Sequence, residues 1–173
     1  MKLDRIEVRI ADSYLAADKL SLAGGVSDPN QTASYGLVWQ PKPLHVFIIE
    51  DGLLVAHVGL LQCTVRVGGQ PVSVAGFGGV LTRPDCRGKG FGQIAMQKAE
   101  EHVRQQRDAN FGLLFCRDAV QPWYERLGWE PIKRPVWIDQ PEGSIQSPLV
   151  VMVKCFGQEA WLGGVVELGC LPW

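Results

Sequence analysis

"CRGKGFGQIAM", residues 86–96, decides how the rest of the chain is read. Gly88, Gly90 and Gly92 alternate with Arg87, Lys89 and Phe91, and a helical pattern begins at once. Phe91, Ile94, Ala95, Ala99 and Val103 recur at helical spacing and predict a helix over 91–106, with Gln97, Lys98, Glu100, Glu101 and Arg104 on its solvent face. A glycine in a helix costs about 1 kcal/mol relative to alanine. Three at one helix start make sense where a ligand approaches the backbone closely. The first amides of a helix lack internal partners, and with the helix dipole they favour an anion, phosphate being the usual guest. The plainer reading is a tight turn carrying two surface cations.

Outward from this stretch, residues 40–83 read as an antiparallel meander. "LHVFIIE" (44–50) and "LLVAHVGLLQCTVRV" (53–67) flank the hairpin signal "DG", and "GG" at 68–69 turns the chain into "QPVSVAGFGGVLT" (70–82). Downstream come a strand at 111–116, a short helix at 121–128, and strands near 129–138 and 148–156. The strand–helix–strand passage 72–116 predicts a parallel pair, because a crossover needs a helix of about this length. Upstream, "RIEVRI" (5–10) alternates like a strand, and 11–23 reads as a helix with Asp12 or Ser13 as cap. Residues 24–43 form a long loop, a type that is often functional. The fold class is therefore α+β, a mixed sheet with flanking helices, in one domain spanning 1–173.

Composition narrows the function. A net charge of −1 gives no footprint for nucleic acid or an anionic membrane. No apolar run approaches the ~20 residues of a membrane span, and the charged start "MKLDRIEVRI" is unlike a signal peptide. Five dispersed cysteines, without a CxxC pair or a Cys/His cluster, read as reduced thiols in a cytoplasmic protein without a metal site. The glycine loop is not a Walker loop, since Lys89 precedes Gly90 rather than Ser or Thr. Its GxGxG spacing after an antiparallel meander is not a dinucleotide fingerprint. HRD and DFG are absent, so it is not a kinase.

The loop does resemble the acetyl-CoA signature of the GNAT superfamily of N-acetyltransferases, Arg/Gln-x-x-Gly-x-Gly/Ala at a strand-to-helix junction. "GVLTRPDCRGKG" is similar to that family's approach strand. "FGLLFCRDAVQPWYERLGWEP" looks like its next strand and Phe-Tyr-x-x-x-Gly-Phe turn, with Trp123-Tyr124 and Gly128-Trp129 in those places. The resemblance covers about residues 40–135. It implies two splayed parallel strands, 77–83 and 111–116, with acetyl-CoA between them and CoA as co-product. Val80, Leu81 and Thr82 would hold the pantetheine arm, and a backbone N–H near Leu81 would face the oxyanion. Arg87, Gly88, Lys89, Gly90, Phe91 and Gly92 would hold the pyrophosphate, and Asp118 would also bind the cofactor. The implied reaction is direct acetyl transfer to a primary amine of a small molecule. A sensor or scaffold that binds acetyl-CoA without turnover is the alternative.

Within that resemblance Tyr124 is the candidate general acid, since a phenol stays protonated at neutral pH and can donate to a departing thiolate. The approach strand "AGFGGVLT" carries no carboxylate base. Asp118, Glu130 and His57 are candidate helpers, and His57 reads equally as a histidine satisfied by its neighbours. Cys116 reads as a small strand hydrophobe. The middle of the chain and its ending, "ELGCLPW", are similar to the aminoglycoside 2′-N-acetyltransferases. That group carries an acidic residue on the approach strand where this chain has Gly78 or Gly79. For the acceptor, Asp28, Tyr35 and Trp39 of the long loop and Glu167 and Trp173 near the C-terminus are candidates, Trp173 with the chain's own carboxylate. Aromatics would give an amine flat surfaces, and carboxylates would draw in its ammonium. The same C-terminal stretch reads equally as a cover for the sheet, and its apolar run 161–173 is compatible with a homodimer.

Overall fold

The structure is a computed structural model describing residues 6–173; Arg5, which opens the expected strand 5–10, and the residues before it lie outside the described residues. Strand β1 (Ile6–Ala11) leads to helix α1 (Ala16–Ala23). Neither Asp12 nor Ser13 caps that helix: its N-cap is Leu15, without a side-chain bond. The helix ends in a left-handed Gly24 whose N–H bonds back to Leu20 and Ser21 carbonyls. The meander then follows as β2 (Leu44–Glu50), β3 (Leu53–Val67) and β4 (Gln70–Thr82). Helix α2 (Phe91–Gln106), β5 (Phe111–Cys116) and helix α3 (Gln121–Arg126) complete the motif region.

The C-terminal third holds more strands than the sequence predicts. In place of one strand near 129–138 there are two, β6 (Glu130–Pro131) and β7 (Val136–Gln140). A hairpin carries β7 into β8 (Gly143–Gln146), before β9 (Val150–Cys155) and the short β10 (Val166–Glu167). All ten strands join one mixed sheet, in the order β6-β9-β5-β4-β3-β10-β7-β8, with β2 and then β1 also joined to β3. β3 serves two neighbours on one edge. β2 pairs its first half, Leu53 to Leu60, and β10 pairs Arg66 and Val67.

Side chains alternate between two layers, as the two-residue strand period requires. On the α2 side, Phe77 of β4 and Leu114 of β5 meet Phe91, Ala95, Met96, Ala99 and Val103. Burial of Phe91, Met96 and Val103 contributes roughly 1.5–3 kcal/mol each. On the other side Val74, Leu113, Ile138, Val166, Leu168 and Trp173 pack together. Glu100 departs from the expected solvent face of α2: it is buried, accepting the Trp129 indole N–H at 3.0 Å and pairing with Lys154 at 2.8 Å. Among the described residues no helix is long and apolar enough to cross a membrane, and no group of His, Cys, Asp and Glu is arranged to hold a metal.

Candidate active site

β4 and β5 are the parallel pair, in register from Val74–Phe111 to Phe77–Leu114. Past that point their pairing ends, and a wedge opens at the C-terminal ends of both strands. Open parallel sheets bind ligands at such places. The wedge forms a cleft of ≈ 740 Å³.

One wall is the end of β4. Opposite it on β3, His57 pairs with Leu81 but Gly59 pairs with Gly78, so Gly79 and Val80 together face Val58. This is a β-bulge, and Gly79 takes φ +57° to make it. The Gly79 carbonyl is fixed by His57 Nδ1 at 2.8 Å. Since that carbonyl only accepts, Nδ1 carries the proton, and His57 Nε2 accepts from His45 Nδ1 at 2.9 Å. Tyr14 stacks on His57 at 4.2 Å between centroids. Burial, opposed by the Gly79 bond and reinforced by His45 and lysine charges, pulls the His57 pKa down to about 3, so the ring is neutral. His57 is thus satisfied at both nitrogens, and it does not line the cleft.

The glycine loop forms the cleft's rim at the start of α2. Gly88 and Gly90 adopt φ of +77° and +88°, and a Cβ on either would meet nothing within 4 Å. Gly90 is the helix N-cap, so the α2 amides and dipole face this rim. Arg87, Arg117 and Arg126 also line the cleft. Gly92 differs from its two neighbours: a Cβ there would stand 2.8 Å from Thr82 Oγ1, so it serves the packing of α2 onto β4.

The far wall carries Tyr124, Cys116, Trp39, Lys42 and Trp173. Tyr124 is held by α3 with its ring edge-on to Trp123 at 4.8 Å, and burial raises its pKa well above the ordinary phenol value, aided by Cys116. Burial likewise pushes the Cys116 thiol up to about 12, with Asp118 adding to it, which leaves a protonated sulfur near Met152 Sδ at 3.6 Å. Trp173 is buried against Phe115, 5.3 Å between centroids, and lies across Gly76 and Gly78 of β4. Gln40 secures the chain leading to it, its backbone N–H donating to the Pro172 carbonyl at 2.8 Å and its side-chain amide to the Leu171 carbonyl at 2.6 Å.

The structure thus brings Val80, Leu81, Thr82, Arg87, Gly88, Gly90, Phe91, Gly92, Tyr124, Trp39 and Trp173 to one cleft. Lys89, Asp118, Asp28, Tyr35 and Glu167 are not among its lining residues. The Asp28 carboxylate instead accepts the Thr32 and Ala33 amides at 3.0 and 2.9 Å, which hold its pKa below the usual value. Glu167 is exposed on β10, opposite Arg66 and Trp137. Glu130 sits exposed on β6. Lys42 also lines the cleft and was not legible in the sequence as a residue of it. Its one sequence signal is a lone lysine between two prolines at the end of the long loop.

Comparison with known proteins agrees with this geometry. The Acetyltransferase (GNAT) domain family matches residues 13–132, more than half of the chain. An aminoglycoside 2′-N-acetyltransferase of Mycolicibacterium fortuitum is 28% identical over 105 residues, 61% of this chain and 53% of that protein. The match therefore spans about half the length of that relative. A GNAT family N-acetyltransferase of Escherichia coli, solved in complex with CoA, superposes with a TM-score of 0.61 at 14% identity, covering 95% of this chain and 89% of that one. A Brucella melitensis GNAT acetyltransferase in complex with acetyl-CoA gives 0.52 at 16% identity, covering 92% and 94%. By its family match, its splayed parallel pair and its glycine loop at the mouth of α2, this chain belongs to the GNAT acetyltransferase family.

Proposed function

We propose that the chain transfers an acetyl group from acetyl-CoA to a primary amine of a small molecule, by direct attack. The observation that carries this reading is the wedge between β4 and β5 with the glycine loop at its rim. The loop suits a pyrophosphate: Gly88 and Gly90 leave open space where a side chain would stand, and three arginines share the cleft. Acetyl-CoA supplies the activated acyl group. The exposed backbone of Val80 to Thr82 is free of β5 and can pair with an extended arm, as an added strand would. The bulge at Gly79 and Val80 leaves an amide without its ladder partner, and that donor faces developing negative charge at the carbonyl.

Tyr124 donates its phenolic proton to the departing thiolate. Its raised pKa keeps it protonated, and its hydroxyl makes no hydrogen bond to a described residue. Cys116 stays a thiol at neutral pH, which supports direct transfer over an acyl-enzyme at that residue. Calorimetry with CoA and a thiol-release assay over a panel of primary amines test the reading. Micromolar-range CoA affinity with amine-dependent thiol release is expected. CoA binding without release for any amine would turn the chain into a binding module, and absence of CoA binding would overturn the site.

A further inference from the structure

The last strand brings two thiols together. β10 runs antiparallel to β3, with Val166 opposite Val67 and Glu167 opposite Arg66. The same register, carried on along the chain, sets Cys170 opposite Cys63. The chain keeps to that line because it stays bonded to β7 on its other side. The Leu168 N–H donates to the Trp137 carbonyl at 2.8 Å, and the Asp139 N–H donates to the Cys170 carbonyl at 3.1 Å. Side-chain parity agrees. Val67, Val65 and Cys63 of β3 face the layer opposite α2, and so do Val166, Leu168 and Cys170. Directly opposed residues of an antiparallel pair have Cα atoms roughly 4.5–5.5 Å apart, inside the range a disulfide spans.

The two thiols are free, half-buried and chemically unequal. The Cys63 thiol donates to the Cys170 sulfur, and the Gln40 side-chain amide donates to the same sulfur at 3.3 Å. These bonds favour a thiolate and bring the Cys170 pKa down to about 7, against burial and the Asp139 charge. The bond it gives, together with burial, pushes the Cys63 thiol up. Burial alone is the main influence on Cys86 and Cys116, and it raises both. Only the Cys63–Cys170 pair thus joins an attacking thiolate to a resolving thiol among the described residues.

We propose that Cys63 and Cys170 form a redox-active pair that a peroxide closes to a disulfide, stapling the end of the chain to β3. The Cys170 thiolate attacks one peroxide oxygen. The S–O bond forms, the O–O bond breaks, and the departing hydroxide takes up the proton the thiol had released, giving water. The Cys63 sulfur then attacks the sulfenic sulfur. The S–S bond forms, the S–O bond breaks, and hydroxide leaves with the Cys63 proton as a second water. The dithiol loses two electrons and the peroxide gains them. A small dithiol reverses the change. The staple closes on the segment that leads to Trp173 in the cleft, beside the Leu171 and Pro172 carbonyls that Gln40 holds. The pair stands independently of the acetyltransferase reading.

The test treats the full chain with hydrogen peroxide at neutral pH, counts thiols and maps peptides by mass without reduction. Five thiols should fall to three, with one peptide pair joined through Cys63 and Cys170, and dithiothreitol should restore all five. The oxidised chain should melt several degrees higher, since the bond closes a long loop of the unfolded chain and the register needs no rearrangement. Cys63→Ser removes the resolving thiol, so dimedone should label Cys170 as a sulfenic acid. Cys170→Ser should leave Cys63 a thiol under the same exposure. Cys155→Ser, made in every background, removes the exposed thiol that would link two chains. Melting temperatures of the reduced variants report folding, and where one fails to fold the peptide map of the chain with Cys63 and Cys170 intact decides. Five thiols surviving the peroxide, or a joined pair other than Cys63 and Cys170, overturns the inference. An oxidised chain that melts below the reduced one also overturns it, because the bond then forms only from a segment detached from β3.

Discussion

Tyr124 sits where two requirements meet. As the proposed acid it must stay protonated through the physiological range, and burial raises its pKa in that direction. Its hydroxyl must also be unengaged, and among the described residues it has no hydrogen-bond partner. Tyr124→Phe keeps the edge-on packing with Trp123 and deletes only the donor. We expect turnover to fall roughly 10²-fold, with CoA affinity held within twofold by calorimetry. Near-normal turnover with chemistry rate-limiting would make Tyr124 a packing residue. Tyr124 and the glycine loop could be placed at the cleft from sequence because they lie in contiguous stretches with fixed local geometry, 87–92 and 123–129. Lys42 was not legible, because its place in the cleft depends on Gly59 and Gly78 lying beside it in two other strands. Glu100 misled for the same reason: its helical position looks outward until Trp129 and Lys154 close over it.

At the scale of elements, α2 is bound to the sheet by more than its apolar stripe. Glu100 accepts from Trp129 and Lys154, and Lys154 also donates to the Leu127 carbonyl at 2.6 Å. Glu100→Ala strands a half-buried ammonium and a buried indole N–H. The expected cost is about 3 kcal/mol, the low end for a broken buried pair, read as a melting temperature lower by roughly 6–12 °C. A loss under 1 kcal/mol would show that solvent reaches the network. The pair β2–β3 makes a second prediction, through pH. His57 has a folded pKa near 3 against an ordinary value near 6.5, so between them the unfolded chain binds a proton that the folded chain refuses. Its stabilising contribution is complete above about pH 6.5 and is lost as pH falls, at up to ~1.4 kcal/mol per unit. His45, also lowered by burial, acts in the same direction. Urea unfolding should therefore show a loss of roughly 2 kcal/mol from pH 6.5 to 5, and His57→Asn should flatten most of that slope. The meander and both longer helices could be read from period and turn chemistry alone. The β7–β8 hairpin and β10 could not, since β10 has two residues and exists only because β3 and β7 offer it edges.

For the whole molecule, the sheet's second layer and the cleft share one residue. The apolar run 161–173 is folded into its own chain: β10 enters the sheet between β3 and β7, and Leu168 and Trp173 join the layer opposite α2. Sequence reading leaves Trp173 as either an acceptor wall or a cover for the sheet. In the structure it is buried, at 2% exposure, and it also lines the cleft. Trp173→Ala should then fail in two ways at once. Removing a buried indole costs roughly 3–5 kcal/mol, because Gly76 and Gly78 offer no side chain to refill the space. The amine KM should rise severalfold in the same variant, while CoA affinity, which in the proposed binding mode depends on the opposite rim, holds. Trp173→Phe separates the two effects. It retains an aromatic ring against Phe115 and removes an indole N–H that is buried without a partner, so the smaller ring's lost packing is partly offset. Its melting temperature should stay near that of the unmodified chain while the amine KM still shifts upward. A pure cover predicts the reverse: KM restored along with stability in Trp173→Phe, and in Trp173→Ala a weakening of CoA and amine together as the β4 end loosens.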